Sequence, residues 1–226
     1  MVDKVPIGIQ GMNSLHEGGL IPRGTTTLLY GPPKTGKTLI SWHFLYSGLE
    51  AGESGILINT ESPWKNIAES SKDFGFNFET FFNEGKLFVI DILPSKPKKL
   101  SFPNHFSVSV NDITGLILKL SLILQKVKSN VRVVMDSLSY LILFNDEKRI
   151  LRMLYTYNMR MKAAKGTSMI CYHEGSAATK SENMIKALCD NIIHITGDEL
   201  EVEALASEIF KKRWKYKVTK EGVVIK

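Results

Sequence analysis

Cysteine is scarce in this 226-residue chain: only Cys171 and Cys189 occur, in apolar or helical contexts and without metal-ligand spacing. That excludes a disulfide framework and a cysteine zinc site, and leaves two buried, reduced thiols of an intracellular protein as the expectation. Long apolar runs are missing as well. No 18 uninterrupted apolar residues occur, and "MVDKVPIGIQGMNSL" has no charged start followed by an apolar stretch, so a membrane span and a secretion signal both lack support. The expected location is the cytoplasm. Internal repeats and linker-like segments are absent too, which points to one domain over residues 1–226.

What is present suits an α/β domain: 43% hydrophobic and 23% charged residues are enough to bury a core. The formal net charge of +6 suggests a mild affinity for anions, whether nucleotide, nucleic acid or an acidic partner surface, or simply a solvated lysine surplus. Short β-branched runs at 26–30, 55–60, 86–92, 131–136, 167–173 and 191–196 read as strands. Helical patterns at 37–50, 64–74, 111–128 and 147–165 lie among them. The alternation predicts a mostly parallel sheet flanked by helices. The tail "EIFKKRWKYKVTKEGVVIK" reads as an antiparallel C-terminal hairpin turning at "KEG". Residues 93–110, with three prolines, read as a long surface loop.

The most chemically explicit stretch is "LLYGPPKTGKTLI". Gly31, Gly36, Lys37 and Thr38 fit G-x-x-x-x-G-K-[ST], between a strand and a helix, in which glycines turn the backbone so that successive N–H groups point at phosphate oxygens. Gly31, Pro32, Pro33, Lys34, Thr35, Gly36, Lys37, Thr38 and Leu39 are therefore assigned to binding a nucleotide triphosphate, ATP. Lys37 neutralises the terminal phosphates, Thr38 offers its hydroxyl to Mg²⁺, and the helix directs its positive end at the anion.

Two acids sit where strands end. Asp136 closes "VRVVMD", at the carboxyl end of a buried strand where open α/β sheets bind ligands, and it joins Thr38 as a metal-site candidate. The alternative is an N-cap for the turn that follows. Glu61, in "GILINTESPW", is the candidate for positioning the attacking water, or else a cap for the helix starting near Pro63. His173 and Glu174 end the strand "TSMICYHE", and "GSAATKSENMIKAL" after it reads as a flexible polar loop with Lys180 and Lys186 but no interleaved aromatics for base stacking.

Together these residues resemble the KaiC-like branch of the RecA superfamily of ATPases, which includes archaeal RadA-related proteins. The resemblance runs through most of the chain. "IGIQGMNSLHEGGLIPRGTTTLLYGPPKTGKT" is similar to the family's opening, "VVMDSLSYL" to its metal-site strand, and "EIFKKR" to a Lys-x-Arg strand that enters the nucleotide site of the next subunit. It implies a RecA-like P-loop fold, a homo-oligomer in a ring or filament, and Lys211 and Arg213 as contacts to the γ-phosphate in trans. Read without the family, "KKRWKYK" is a basic edge strand that discourages aggregation. This chain departs from the pattern in three places: a single Glu61 where paired glutamates are frequent, Trp214 after Lys-x-Arg, and Lys34 where many members have glycine.

The resulting expectation is a Mg²⁺-ATP-binding protein, a slow ATPase completed between subunits and acting in DNA recombination or repair, with DNA as candidate partner and no membrane. Two alternatives stay open: a nucleotide-gated assembly or signalling module that does not bind DNA, and a nonhydrolysing nucleotide-binding scaffold.

Overall fold

The computed structural model describes residues 3–12, 21–93, 102–206 and 211–226. A two-stranded antiparallel sheet of β1 (Lys4–Val5) and β2 (Ile21–Pro22) precedes the main sheet. The main strands are β3 (Thr26–Gly31), β4 (Ser54–Asn59), β5 (Leu87–Leu93), β6 (His105–Ser109), β7 (Val131–Asp136), β8 (Thr167–His173), β9 (Asn191–Thr196), β10 (Glu199–Ala204), β11 (Lys212–Thr219) and β12 (Gly222–Ile225). They lie side by side in the order β12-β11-β10-β9-β3-β8-β7-β4-β5-β6. Every pair from β9 to β6 is parallel, and β9-β10, β10-β11 and β11-β12 are antiparallel.

Among the described residues the α-helices are α1 (Lys37–Glu50), α2 (Trp64–Ser70), α3 (Phe78–Asn83), α4 (Ile113–Lys126), α5 (Leu138–Phe144), α6 (Glu147–Ala163) and α7 (Thr179–Leu188). Alternation along each strand sorts side chains into two apolar layers. Leu29, Leu57, Val134, Met169 and Cys171 face the layer that contains residues of α1, α2 and α3. Their neighbours Leu28, Tyr30, Ile56, Ile58, Val133, Met135, Ile170 and Tyr172 face α4, α5, α6 and α7. Parallel strands covered on both faces explain why the sequence shows continuous apolar runs there. This mostly parallel sheet with helices on both faces is the RecA-type α/β fold.

Buried charge sits beneath α1. Arg132, 1% exposed, pairs with Glu53 at 3.1 Å and donates to the carbonyls of Pro6 and Phe44 and to Ser47 Oγ. Arg23 adds a second contact to Glu53, so the two guanidinium groups hold its carboxyl below the usual range although burial pushes it up.

Two expectations are corrected. Within 93–110, residues 94–101 lie outside the described residues, but His105–Ser109 is a parallel edge strand beside β5 rather than loop. Asn104 Nδ2 anchors its start on the carbonyls of Phe82 and Leu87, and His105 binds Asp91. The polar segment after β8 is α7 from Thr179 rather than flexible loop, its first turn held by Glu147 of α6, which accepts from Ala178 N and Ser181 Oγ. The tail is as expected. The expected hairpin is present as β11 and β12, turning at Lys220 and Glu221 into Gly222 with φ +85°, and an unforeseen strand, β10, separates it from β9.

Candidate nucleotide site

The carboxyl ends of β3, β4, β7 and β8 bring the predicted residues to one edge of the sheet. The turn after β3 needs glycine at Gly31: φ is +148°, and a Cβ there would fall 2.1 Å from the carbonyl oxygen of Ile195. Gly36 has φ +85° and serves as N-cap of α1 with no side-chain cap, so the helix's first N–H groups stay open to an anion. Lys34 also adopts a positive φ, 64°, a left-handed conformation that strains a side chain with a Cβ and that glycine adopts freely. The loop is fastened from behind: Thr35 Oγ1 donates to Pro32 O at 2.9 Å, and Tyr216 Oη on β11 donates to the carbonyls of Thr35 and Gly197. Leu39 turns its side chain against the apolar layer.

Lys37 is 4% exposed, and its ammonium donates to Gly31 O at 2.9 Å and to Pro32 O and Thr35 Oγ1. Burial lowers its pKa, against the opposing pull of Cys171, Asp136 and Glu61. A cation folded onto neutral carbonyls is a group waiting for an anion, since those bonds replace only part of its hydration.

Asp136 lies beside Thr38. Desolvation pushes its carboxyl up to about 6, aided by the nearby charge of Glu61, while a hydrogen bond from the Thr38 hydroxyl lowers it. A desolvated carboxylate next to a hydroxyl, both hard oxygen donors, fits Mg²⁺. Asp136 does not cap the next helix, whose N-cap is Ser137. Glu61 does not cap α2 either: the Trp64 N–H donates to Asp91. The Glu61 carboxylate instead accepts from Ser137 Oγ at 2.7 Å and opens on a cavity of about 650 Å³ that His173, Ser139, Tyr140, Asp146 and Ser176 also line. Burial, and then the charge of Lys37, lower the pKa of His173, whose backbone N–H donates to Ser139 Oγ at 2.7 Å.

Sequence reasoning missed the stitch between the two acid-bearing strands. Thr60 N donates to Asp136 O at 2.9 Å, Ser137 N donates to Thr60 Oγ1 at 2.7 Å, and Thr60 Oγ1 donates to Ser137 O at 3.1 Å, around a cis Asp136–Ser137 peptide. The signal was a hydroxyl residue directly after each strand, in "NTES" and "DSLS", but it becomes readable only once β4 is known to neighbour β7.

Lys211 and Arg213 do not join the cradle of their own chain. Both are exposed, and Arg213 pairs with Glu201 of β10 at 3.0 Å. The part of β11 that approaches the loop is Tyr216 and Val218, near Gly36. Trp214 alternates inward and is 5% exposed, packing with the α1 layer. Lys180 is exposed, but Lys186 lies over the Tyr30 ring at 4.0 Å and 3.7 Å from Glu182.

A family model described as "ATPase: KaiC" matches residues 5–225. The chain is 29% identical over 234 residues to a UPF0273 protein of Methanopyrus kandleri, covering 98% of this chain and 91% of that one. It is 35% identical over 139 residues to the circadian clock oscillator protein KaiC of Prochlorococcus marinus, a match over 61% of this chain but only 26% of the clock protein. It thus spans about a quarter of the clock protein's length. The crystal structure of a KaiC-like protein of Pyrococcus horikoshii superposes with a TM-score of 0.80, over 100% of both chains at 21% identity, which speaks to the fold.

Proposed function

Because this chain belongs to the KaiC-like ATPases of the RecA superfamily, we propose that residues 1–226 work as one Mg²⁺-ATP-binding domain whose slow hydrolysis gates its own assembly. One observation carries the reading. The buried Lys37 ammonium, the open N-terminus of α1, the Thr38–Asp136 oxygen pair and Glu61 converge on one edge of the sheet. Lys37 and the loop amides hold the phosphates, and Thr38 and Asp136 would hold Mg²⁺, which supplies charge neutralisation when bound. Glu61, held by Ser137, orients the attacking water. Lys211 and Arg213 reach no part of their own cradle and serve a neighbouring subunit in a ring or filament, in the cytoplasm.

Assembly is favoured over action on DNA. Of the two lysines after β8 that could meet a nucleic acid, Lys186 is engaged by Tyr30 and Glu182. The cavity beyond Glu61 is rimmed by Asp146 and Glu147, which repel a phosphate backbone.

The test is mass in solution with and without Mg²⁺-ATP, together with ATPase rates with and without single-stranded DNA. The expected result is ATP-dependent oligomerisation and slow turnover that DNA does not change. Glu61→Gln lowers the rate about 100-fold or more while ATP still binds, and Lys37→Ala abolishes binding. A monomer under all conditions with no turnover overturns the proposal, and a Glu61→Gln rate equal to wild type reduces the protein to a scaffold.

A further inference from the structure

A dense set of cations lies on the helical layer that α4 and α6 form over one side of the sheet. Residues 113–128 and 148–165, which contain α4 and nearly all of α6, carry nine lysines and arginines and no acid. Asp112, Asp146 and Glu147 stand only at the N-terminal ends of these helices, and residues 211–220, with six lysines and arginines and no acid, form the other basic segment. Among the described residues, only Lys162 of the nine pairs with a carboxylate, Asp190 at 3.2 Å, and Lys119 rests over the Phe106 ring.

Apolar side chains interleave with the cations. Leu118 and Leu122 on α4 are 56% and 40% exposed, and Tyr155 and Met159 on α6 are 58% and 52% exposed. Each pair is four residues apart and forms one line along its helix. The line on α6 continues to Ala163, and Ser121 and Gln125 follow Leu118 and Leu122 at a spacing of three. Those residues line a groove of about 250 Å³ between the helices, with Arg160 at its edge and Ala163 and Ala164 in its wall. Two apolar lines therefore run toward a groove with Arg160 at its edge.

We propose that this α4–α6 face docks an acidic amphipathic helix of a partner protein, with leucine-type side chains entering the groove and glutamates or aspartates meeting Arg152, Arg160 and Lys126. Charge complementarity selects an anionic partner. Nucleic acid satisfies the cations but leaves Leu118, Leu122 and Met159 in water. A bilayer takes a convex apolar face, whereas this surface is a cleft with small residues in its wall, the shape that receives side chains spaced at i, i+3, i+4 and i+7.

The test uses the full chain and a fluorescein-labelled synthetic helical peptide, leucines at that spacing on one face and glutamates on the other, read by fluorescence anisotropy. A scrambled peptide of the same composition, a single-stranded DNA oligonucleotide and phosphatidylserine vesicles are run in parallel. The expected result is saturable binding of the helical peptide, weakened about tenfold or more by Arg152→Glu with Arg160→Glu and also by Leu122→Ser with Met159→Ser. Rising salt weakens it further, and ATP affinity is unchanged in both variants. The milder Arg152→Gln with Arg160→Gln weakens it in the same direction and guards against misfolding. No binding of the helical peptide, equal binding of the scrambled one, insensitivity to either double variant, or binding of DNA or vesicles in its place each overturns the proposal. So does an oligomer that Leu122→Ser with Met159→Ser abolishes, because the face then belongs to a second copy of this chain.

Discussion

The stability of this protein should fall in mild acid because of one histidine in the helix that follows the phosphate loop. His43, 8% exposed on α1, accepts a hydrogen bond at Nε2 from the Val223 N–H at 2.8 Å. The ring therefore carries its proton on Nδ1, which bonds the backbone of Gly8, and Phe76 presents its ring perpendicular to it at 4.8 Å. Protonating Nε2 sets one N–H against another and places a cation in an apolar layer, and burial lowers the pKa from 6.5 to about 4. The folded state then binds fewer protons than the unfolded state below pH 6.5, so the stabilisation is complete above that value and is lost as pH falls through about 4. At 1.36 kcal/mol per unit the whole loss is about 3.4 kcal/mol, of which about 2 kcal/mol has gone by pH 5. The perturbation is His43→Gln, a neutral side chain able to accept from Val223. The assay is denaturant unfolding of both proteins without nucleotide at pH 7.5 and pH 5. Wild type should lose about 2 kcal/mol more than the variant over that interval, or roughly 4–8 °C in melting temperature for a chain of this size. Parallel losses, or a His43 imidazole titrating near 6.5 by NMR, refute the reasoning.

Two further outcomes follow from backbone strain and buried charge. Lys34→Gly removes a left-handed non-glycine residue and should raise stability by up to about 1 kcal/mol, the relief exceeding the entropy that glycine adds to the unfolded chain; a lower denaturant midpoint counts against strain at this position. Arg132→Ala leaves Glu53 with Arg23 alone and strands the carbonyls of Pro6 and Phe44, so unfolding should become easier by about 3–5 kcal/mol, and a change below about 1 kcal/mol contradicts the buried network.

Local pattern carried the sequence reading as far as local pattern determines structure. The strand, turn and helix around Gly31–Lys37 were legible because their requirements are local: glycines where φ is positive, a lysine at the helix start, an apolar strand before it. Asp136 was legible because the end of a continuous apolar run marks the end of a buried strand. The α7 segment was not, because "GSAATKSEN" has no strong cap of its own and takes one from Glu147, 31 residues upstream of Ala178. Strand β6 hid behind three prolines, and β10 hid because "ELEVEA" places glutamates on its open side, where His194, Arg213 and Tyr30 meet them across strands. The Thr60–Ser137 stitch depends on strand order, which is not written locally anywhere.

Strand order also gives β11 its place in the proposed function. Tyr216 fastens the phosphate loop from behind, and the hairpin that follows is tied to α1 through the Val223–His43 bond. Arg213 lies three residues back on the same strand, roughly 10 Å away at strand rise, facing outward in register with Glu201. One ladder-bonded strand therefore touches its own loop at one end and presents the cation proposed for a neighbour at the other. Under the proposed function Lys37 would exchange the Gly31 and Pro32 carbonyls for phosphate, and Tyr216 is the side chain of β11 bonded to the same loop, at Thr35. Trp214, buried between the two, makes the link stiff, because a strand cannot slide while an indole on it is packed in the core. The bulky residue after Lys-x-Arg thus holds Arg213 and Tyr216 on one rigid strand, so on the proposed function the contact to a neighbour would follow the loop rather than a flexible arm.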